Sequence, residues 1–198
     1  MKKALLILTL SLAIVGCKEN NKEAEADTQA IVDTVAYNME GINQIVPDTV
    51  DGGEMLLGRI DRSGLEQDLF KEWYEVSYSD HRMDTIRVDS IKPLLEGISF
   101  KIFMGSWCED SQREVPALFK ILDYAGYDSS TVELIAVDHD KITPQQYEDP
   151  YSIEYIPSIM LMKDGQEIKR IVEYPVGTLE EDLLRILQGK EYKHYYED

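Results

Sequence analysis

Short apolar runs alternate with amphipathic segments in the second half of the chain. Within residues 111–124, Val115, Leu118, Phe119 and Leu122 recur at the i, i+3, i+4 and i+7 spacing that places side chains on one face of a helix. The apolar runs on either side have the length of buried strands. The predicted order is a strand at residues 99–104, a helix at 111–124, strands at 132–137, 158–162 and 167–172, and a final helix after residue 178.

The connections between these segments predict how the strands pair. A helix between the first two strands makes a crossover, and crossovers join parallel strands. The last two strands are joined through Asp164 and Gly165, a pair typical of a tight turn, and should be antiparallel. The final helix begins with a capping box of Thr178 and Glu181. The sequence therefore predicts an α/β fold with a mixed four-stranded sheet flanked by helices, or five strands if a short one forms around Thr49.

Residues 56–98 carry helical patterns and are predicted to form a helical N-terminal extension of this domain. A weaker helix candidate covers residues 86–95 and is interrupted by Pro93. The stronger pattern spaces four apolar residues at i, i+4, i+8 and i+11, namely Leu65, Leu69, Trp73 and Val76.

The start of the chain has the parts of a bacterial export signal. Lys2 and Lys3 supply positive charge, residues 4–15 are apolar, and Gly16 precedes Cys17. The apolar run is shorter than the ~20 residues of a membrane-spanning helix. The four residues ending at Cys17 resemble a lipobox, which implies cleavage before Cys17 and a diacylglycerol on its sulfur. The protein is then expected outside the cytoplasm as a membrane-anchored lipoprotein, facing the periplasm or the cell surface. The alternative is a plain signal peptide with an incidental cysteine.

These patterns divide the chain into four segments. Residues 18–53 are polar and acidic, with breaks at Gly41, Pro47 and Gly52, and are predicted to form a flexible tether. We accordingly predict a signal peptide at residues 1–16, a lipidated tether at 17–55, the helical extension at 56–98 and the α/β domain at 99–198.

Charge and cysteine content narrow the possible functions. The chain has 20 basic and 38 acidic residues and a net charge of −18, which argues against nucleic acid as a partner because its phosphates would be repelled. If lipidation consumes Cys17, Cys108 is the single remaining thiol and no internal disulfide can form. His81 and His194 stand alone in the sequence, and we predict neither a metal nor another cofactor.

One motif and two prolines, taken in order, indicate a family. Residues 107–111 read Trp-Cys-Glu-Asp-Ser at the predicted strand-to-helix junction, Pro116 lies within the helix that follows, and Ile156-Pro157 precedes the hairpin. Together they resemble the active site of thioredoxin-like proteins, including bacterial lipoproteins with an N-terminal extension. The resemblance implies a thioredoxin fold.

The resemblance also implies roles for individual residues. Cys108 would be the redox cysteine. Ile156-Pro157 would form a cis-proline loop that, together with Trp107, binds an extended peptide beside the cysteine. An ordinary trans proline at the start of a strand is the alternative for Pro157.

The residues after the second predicted strand extend this comparison. Asp138 is similar to the family residue that contacts the active-site tryptophan. His139 could serve as a proton-transfer group for Cys108. The alternative for His139 is a solvated loop histidine without a role in the chemistry.

The position of Cys108 favours its thiolate. A cysteine at a helix N-terminus faces unpaired backbone N–H groups and the positive end of the helix dipole. Glu109 and Asp110 oppose this effect because neighbouring carboxylates repel a thiolate. A buried, unreactive thiol is the alternative.

Two departures from the family pattern matter for function. Ser111 stands where the second redox cysteine is expected, and a serine cannot resolve a mixed disulfide. Ile102 stands on the strand position where many members carry a buried carboxylate that assists proton transfer. Both substitutions argue against an efficient two-cysteine reductase.

The favoured interpretation is therefore thiol–disulfide exchange through one cysteine, as an isomerase or an assisted reductase. Its partners would be extended or disulfide-bearing exported proteins, an external thiol reductant, and the membrane through the lipid on Cys17. Two alternatives stay open at this point. One is a redox-inactive peptide-binding module of the same fold, and the other is a thiol-based oxidant sensor.

Overall fold

The computed structural model describes residues 41–197, which form a six-stranded mixed sheet with its helices. The strand order is β1-β2-β4-β3-β5-β6, in which β3 and β4 are parallel and the other neighbours antiparallel. The predicted crossover and hairpin are confirmed. The strands are β1 Gln44–Pro47, β2 Glu54–Ile60, β3 Ile98–Met104, β4 Glu133–Ala136, β5 Ser158–Lys163 and β6 Gln166–Val172.

The helices occupy the segments between and after these strands. Thr178 caps the last one as predicted, because its hydroxyl oxygen accepts the Glu181 backbone N–H at 3.2 Å. The helices are α1 Arg62–Leu65, α2 Lys71–Asp80, α3 Thr85–Ile91, α4 Glu109–Ala125 and α5 Leu179–Leu187, with short 3-10 turns at Lys92–Leu94, Ser129–Thr131 and Asp149–Tyr151.

The two faces of the sheet are covered by different parts of the chain. Along β3, Phe100, Ile102 and Met104 join the main core, to which all five helices contribute. Phe103 points the other way, as alternation along a strand requires, into a smaller cluster that Trp107 and the segment 138–157 border. The functional motif therefore lies where α4 and this second face meet.

The β1–β2 hairpin differs from the sequence-based prediction, which placed residues 17–55 in a tether and residues 56–98 in a helical extension. Strand β1 ends at Pro47, so Thr49 lies in the turn. Strand β2 joins the sheet beside β4, with Gly58 opposite Ala136. The sequence did not predict β2 because this strand is buried on both faces and shows no alternation of apolar and polar residues.

The helix predicted from the spacing of Leu65, Leu69, Trp73 and Val76 also differs from the structure. Leu69 and Val76 are each 53% exposed, whereas Leu65, Phe70 and Tyr74 are buried. The chain leaves the helical path between α1 and α2, which shifts the phase of the buried face. The weaker candidate at residues 86–95 is confirmed as α3 and the 3-10 turn that follows it.

Within residues 41–197, no helix combines the length and the apolar character needed to cross a membrane. The predicted signal peptide and the lipidation of Cys17 fall outside the residues that the structure describes, and they stay predictions.

Candidate functional site

Cys108 is the N-cap residue of α4, at the strand-to-helix junction predicted from the sequence. Its extended backbone (φ −89°, ψ 122°) turns the chain from the β3 side into the helix, and its N–H donates to the Gly105 carbonyl at 3.1 Å. The side chain is half-buried. The thiol therefore lies at the N-terminus of a helix of 17 residues.

The loop facing Cys108 contains the cis peptide bond expected between Ile156 and Pro157. The Cys108 Sγ lies 3.6 Å from the Ile156 carbonyl oxygen and donates to it. On its other side the loop is tied to the residue that follows β6, because the Pro157 carbonyl accepts the Glu173 N–H at 2.8 Å. The structure thus brings together Cys108 and the two loop residues that the sequence singled out.

Ser111 is fully buried one turn into α4. Its Oγ accepts the Gly105 backbone N–H at 3.2 Å, which ties the helix to the loop leading into Cys108. Because the oxygen acts as the acceptor in this bond, the hydroxyl still has its own proton to donate.

The two acidic residues of the motif have different surroundings. Glu109 is exposed, whereas Asp110 pairs with Arg113 at the i, i+3 spacing of helix neighbours. Arg113 also donates to the carboxylate of Glu114 at 2.7 Å, whose pKa is raised by burial. Arg113 was absent from the sequence-based site, and it offsets one of the two charges that repel a thiolate at Cys108.

The indole of Trp107 makes a different polar contact from the one that the family resemblance implied. Its single N–H donates to the Val137 carbonyl at 3.1 Å. The carboxylate of Asp138 instead organises its own loop, accepting the backbone N–H groups of Asp140 at 2.9 Å and Ile142 at 3.0 Å.

His139 lies flat against the same indole. The ring centroids of His139 and Trp107 are 3.9 Å apart and the planes differ by 18°. The histidine Nε2 is 3.0 Å from both carboxylate oxygens of Asp48, whose side chain is 3% exposed. The pKa of Asp48 is lowered, first by the Asp51 backbone N–H and then by His139. The structure thus brings His139 to the site as a neighbour of Trp107.

Asp48 is a site residue that sequence reasoning missed. It lies 91 residues from His139, in the turn between β1 and β2. The available local signal was an aspartate after Pro47 in a segment that ends in two glycines, which is typical of a turn and does not point to a distant histidine.

Asp48, Asp51 and His139 each place one metal-binding atom within 4.8 Å of the others, and they are the metal candidates among residues 41–197. The Asp48 Oδ1 already accepts the backbone N–H groups of Val50 at 2.9 Å and Asp51 at 3.0 Å. Both oxygens of Asp48 also contact His139. The protein itself therefore satisfies the buried carboxylate, and the arrangement is explained without an ion.

The sequence of this chain is similar to those of two thioredoxins. No family model matches the chain. A thioredoxin of Mycolicibacterium smegmatis is 34% identical over 97 residues, which covers 49% of this chain and 80% of that protein. A thioredoxin of Rhodospirillum rubrum is 29% identical over 92 residues, covering 46% and 77% respectively. Among solved structures, a protein of unknown function from Pseudomonas aeruginosa is similar with a TM-score of 0.45 and 16% identity, covering 63% of this chain and 84% of that one.

Proposed function

Since this chain belongs to the thioredoxin family, we propose that it carries out thiol–disulfide exchange through the single thiol of Cys108. One observation carries the proposal above the others. The half-buried sulfur lies at the start of α4, 3.6 Å from the Ile156 carbonyl in the cis-proline loop. A nucleophilic sulfur and a backbone edge that can pair with an extended client therefore lie side by side.

The first step joins the client to the protein. The Cys108 thiolate attacks one sulfur of a client disulfide and forms a mixed disulfide with it. The bond between the two client sulfurs breaks, and the second client sulfur leaves as a thiolate. The positive end of the helix dipole stabilises negative charge on the Cys108 sulfur. That charge is greatest on the free thiolate, before it attacks the client and after the client has been released.

The second step needs a thiol that α4 does not supply, because Ser111 replaces the usual second cysteine. If another thiolate of the client attacks the joined client sulfur, Cys108 leaves as a thiolate and the client disulfide is re-formed in the same or a new pairing. If two external thiols act in turn, the client leaves as a thiolate and the external thiols end as a disulfide. The first route is isomerisation, and the second is reduction by two electrons.

The experiment that tests this function follows adducts at Cys108. In a Cys17→Ser background, Cys108 is the single thiol of the chain. This variant is incubated with a protein whose disulfides have been mispaired. It should form mixed disulfides that intact-mass measurement detects and that reduced glutathione cleaves. Cys108→Ala in the same background should form none.

The redox-inactive binding module predicts a different outcome in the same experiment. The protein would bind the extended client without an adduct, and Cys108 would react slowly with a small disulfide near neutral pH. Binding without any covalent product would overturn the proposed exchange chemistry.

We further propose that the protein works outside the cytoplasm as a membrane-anchored lipoprotein, with Cys17 as the acylated residue. The support is the sequence alone, in which a lipobox-like segment ends an export signal. Expression in a bacterium with labelled palmitate should label the wild-type protein, whereas Cys17→Ser should remain an unlabelled precursor with changed membrane fractionation. Equal labelling of both would exclude Cys17 as the acylation site.

A further inference from the structure

The β1–β2 hairpin reaches the candidate active site through the tryptophan beside Cys108. Val46, Met55 and Leu57 of the hairpin form a small buried cluster, and the indole of Trp107 packs against it. The ring of His139 stacks on the same indole. The hairpin and the loop after β4 thus contact Trp107 from two sides and together hold it in place.

A buried contact between Asp48 and His139 links the hairpin to the loop after β4. Both oxygens of Asp48 lie 3.0 Å from the Nε2 of His139, and the exposed fractions of the two side chains are 3% and 18%. A carboxylate can only accept, so the Nε2 of His139 carries a proton. Since one donor faces two acceptors, the rotation of the imidazole is fixed by the position of Asp48.

The position of Asp48 is in turn set by the hairpin turn. Its Oδ1 accepts the backbone N–H groups of Val50 and Asp51, which encloses the carboxylate in the turn. A continuous series of contacts therefore runs from this turn through Asp48 and His139 to the indole. Trp107 lies next to Cys108 in the chain. Displacement of its indole would therefore change the surface that a client contacts beside the thiol.

We infer that Asp48 and His139 are positioning residues that hold Trp107 in place beside Cys108, and that the β1–β2 hairpin is thereby part of the client-binding site. The inference rests on the proposed exchange function for its catalytic consequence. The positioning itself is independent of that function. Neither residue acts on the sulfur in this account: Cys108 makes its hydrogen bond to Ile156, and the Nε2 of His139 makes its bond to Asp48.

The test uses the full chain carrying Cys17→Ser and Trp73→Phe, so that Cys108 is its single thiol and Trp107 its single tryptophan, which is excited selectively at wavelengths that tyrosine does not absorb. Asp48→Ala removes the acceptor for His139, whereas Asp48→Asn keeps an oxygen that can accept its proton. Asp51→Ala, an exposed carboxylate in the same turn, is the matched control. His139→Gln retains a donor and removes the stacked ring.

Two readouts separate positioning from a general structural role. Acrylamide should quench Trp107 more strongly in Asp48→Ala and His139→Gln than in the parent, while Asp48→Asn and Asp51→Ala stay close to the parent. The rate with a peptide disulfide should fall about tenfold in Asp48→Ala, because a wall displaced by a fraction of an ångström misaligns a bound reactant. The rate with a small disulfide, which needs no groove, should change far less.

The outcomes distinguish this inference from the proposed function. Parent-like quenching in Asp48→Ala would overturn the positioning role whatever the rates are. Equal loss of rate toward the peptide and the small disulfide would overturn the link to client binding. If the parent itself reacts with neither disulfide, the exchange function fails while the quenching comparison still decides the positioning role. Urea unfolding of each variant shows whether a change in Trp107 reflects loss of the fold.

Discussion

Replacing Ser111 with cysteine should produce a protein that closes an internal disulfide with Cys108 and reduces client disulfides when dithiothreitol is supplied. Positions 108 and 111 are i, i+3 neighbours at the start of α4, and such side chains lie on the same side of a helix. The new thiol could attack the Cys108 sulfur of a mixed disulfide and release the client as a thiolate. A fixed neighbour competes with external thiols at a high effective concentration. Insulin reduction, followed by turbidity, measures the gained activity.

Ser111→Ala is the control for this variant. It removes the hydroxyl that accepts the Gly105 N–H without adding a thiol, so it should cost about 1 kcal/mol of stability and leave insulin reduction at the wild-type level. A folded Ser111→Cys protein that shows no internal disulfide under oxidants and no reductase activity would contradict the arrangement proposed here. The peptide-binding function would then be favoured.

The gain from Ser111→Cys should stay partial because of Ile102. This side chain is fully buried in β3, paired across the sheet with Leu134 on one side and Ile159 on the other. The core at this point is apolar and offers no carboxylate to accept the proton of a resolving thiol. The new thiol would have to lose its proton to solvent or to a solute base.

The parts of the fold that sequence predicted are those with local signals. Amphipathic spacing predicted α4, the Asp164-Gly165 turn predicted the β5–β6 hairpin, and Thr178 predicted the start of α5. The cis bond at Ile156-Pro157 followed from the family resemblance alone. Cys108 at the start of a helix followed from both.

The parts that sequence did not predict depend on contacts between distant segments. Strand β2 pairs with β4, and its apolar residues resemble a piece of helix or core until that partner is known. Asp48 meets His139 across 91 residues. Long-range pairing, rather than local propensity, decided each of these features.

Among the possible glycine-to-alanine substitutions within residues 41–197, Gly105→Ala should impair the site most. A Cβ at Gly105 would lie 2.7 Å from Trp107 Cε2 and 2.9 Å from Ile156 Cδ1, so it would press on both walls of the groove beside Cys108. The isoleucine tip can move aside, but the indole is rigid and must shift as a unit. We expect a stability loss of about 1–3 kcal/mol from overpacking. The rate of adduct formation with a peptide disulfide should fall about tenfold because the walls no longer match the bound client.

Gly97→Ala separates the effect on the site from a general loss of stability. Gly97 has a φ of +74° with nothing within 4 Å of an added Cβ, and it precedes the end of β3 that lies farthest from Cys108. Strain at this φ should cost about 1–2 kcal/mol, a loss comparable to that of Gly105→Ala. Its rate with the peptide disulfide should nevertheless match the wild type. Urea unfolding and stopped-flow adduct formation on both variants provide the comparison. If Gly105→Ala retained the wild-type rate while losing stability, Trp107 and Ile156 would not be the walls that align a client with the thiolate.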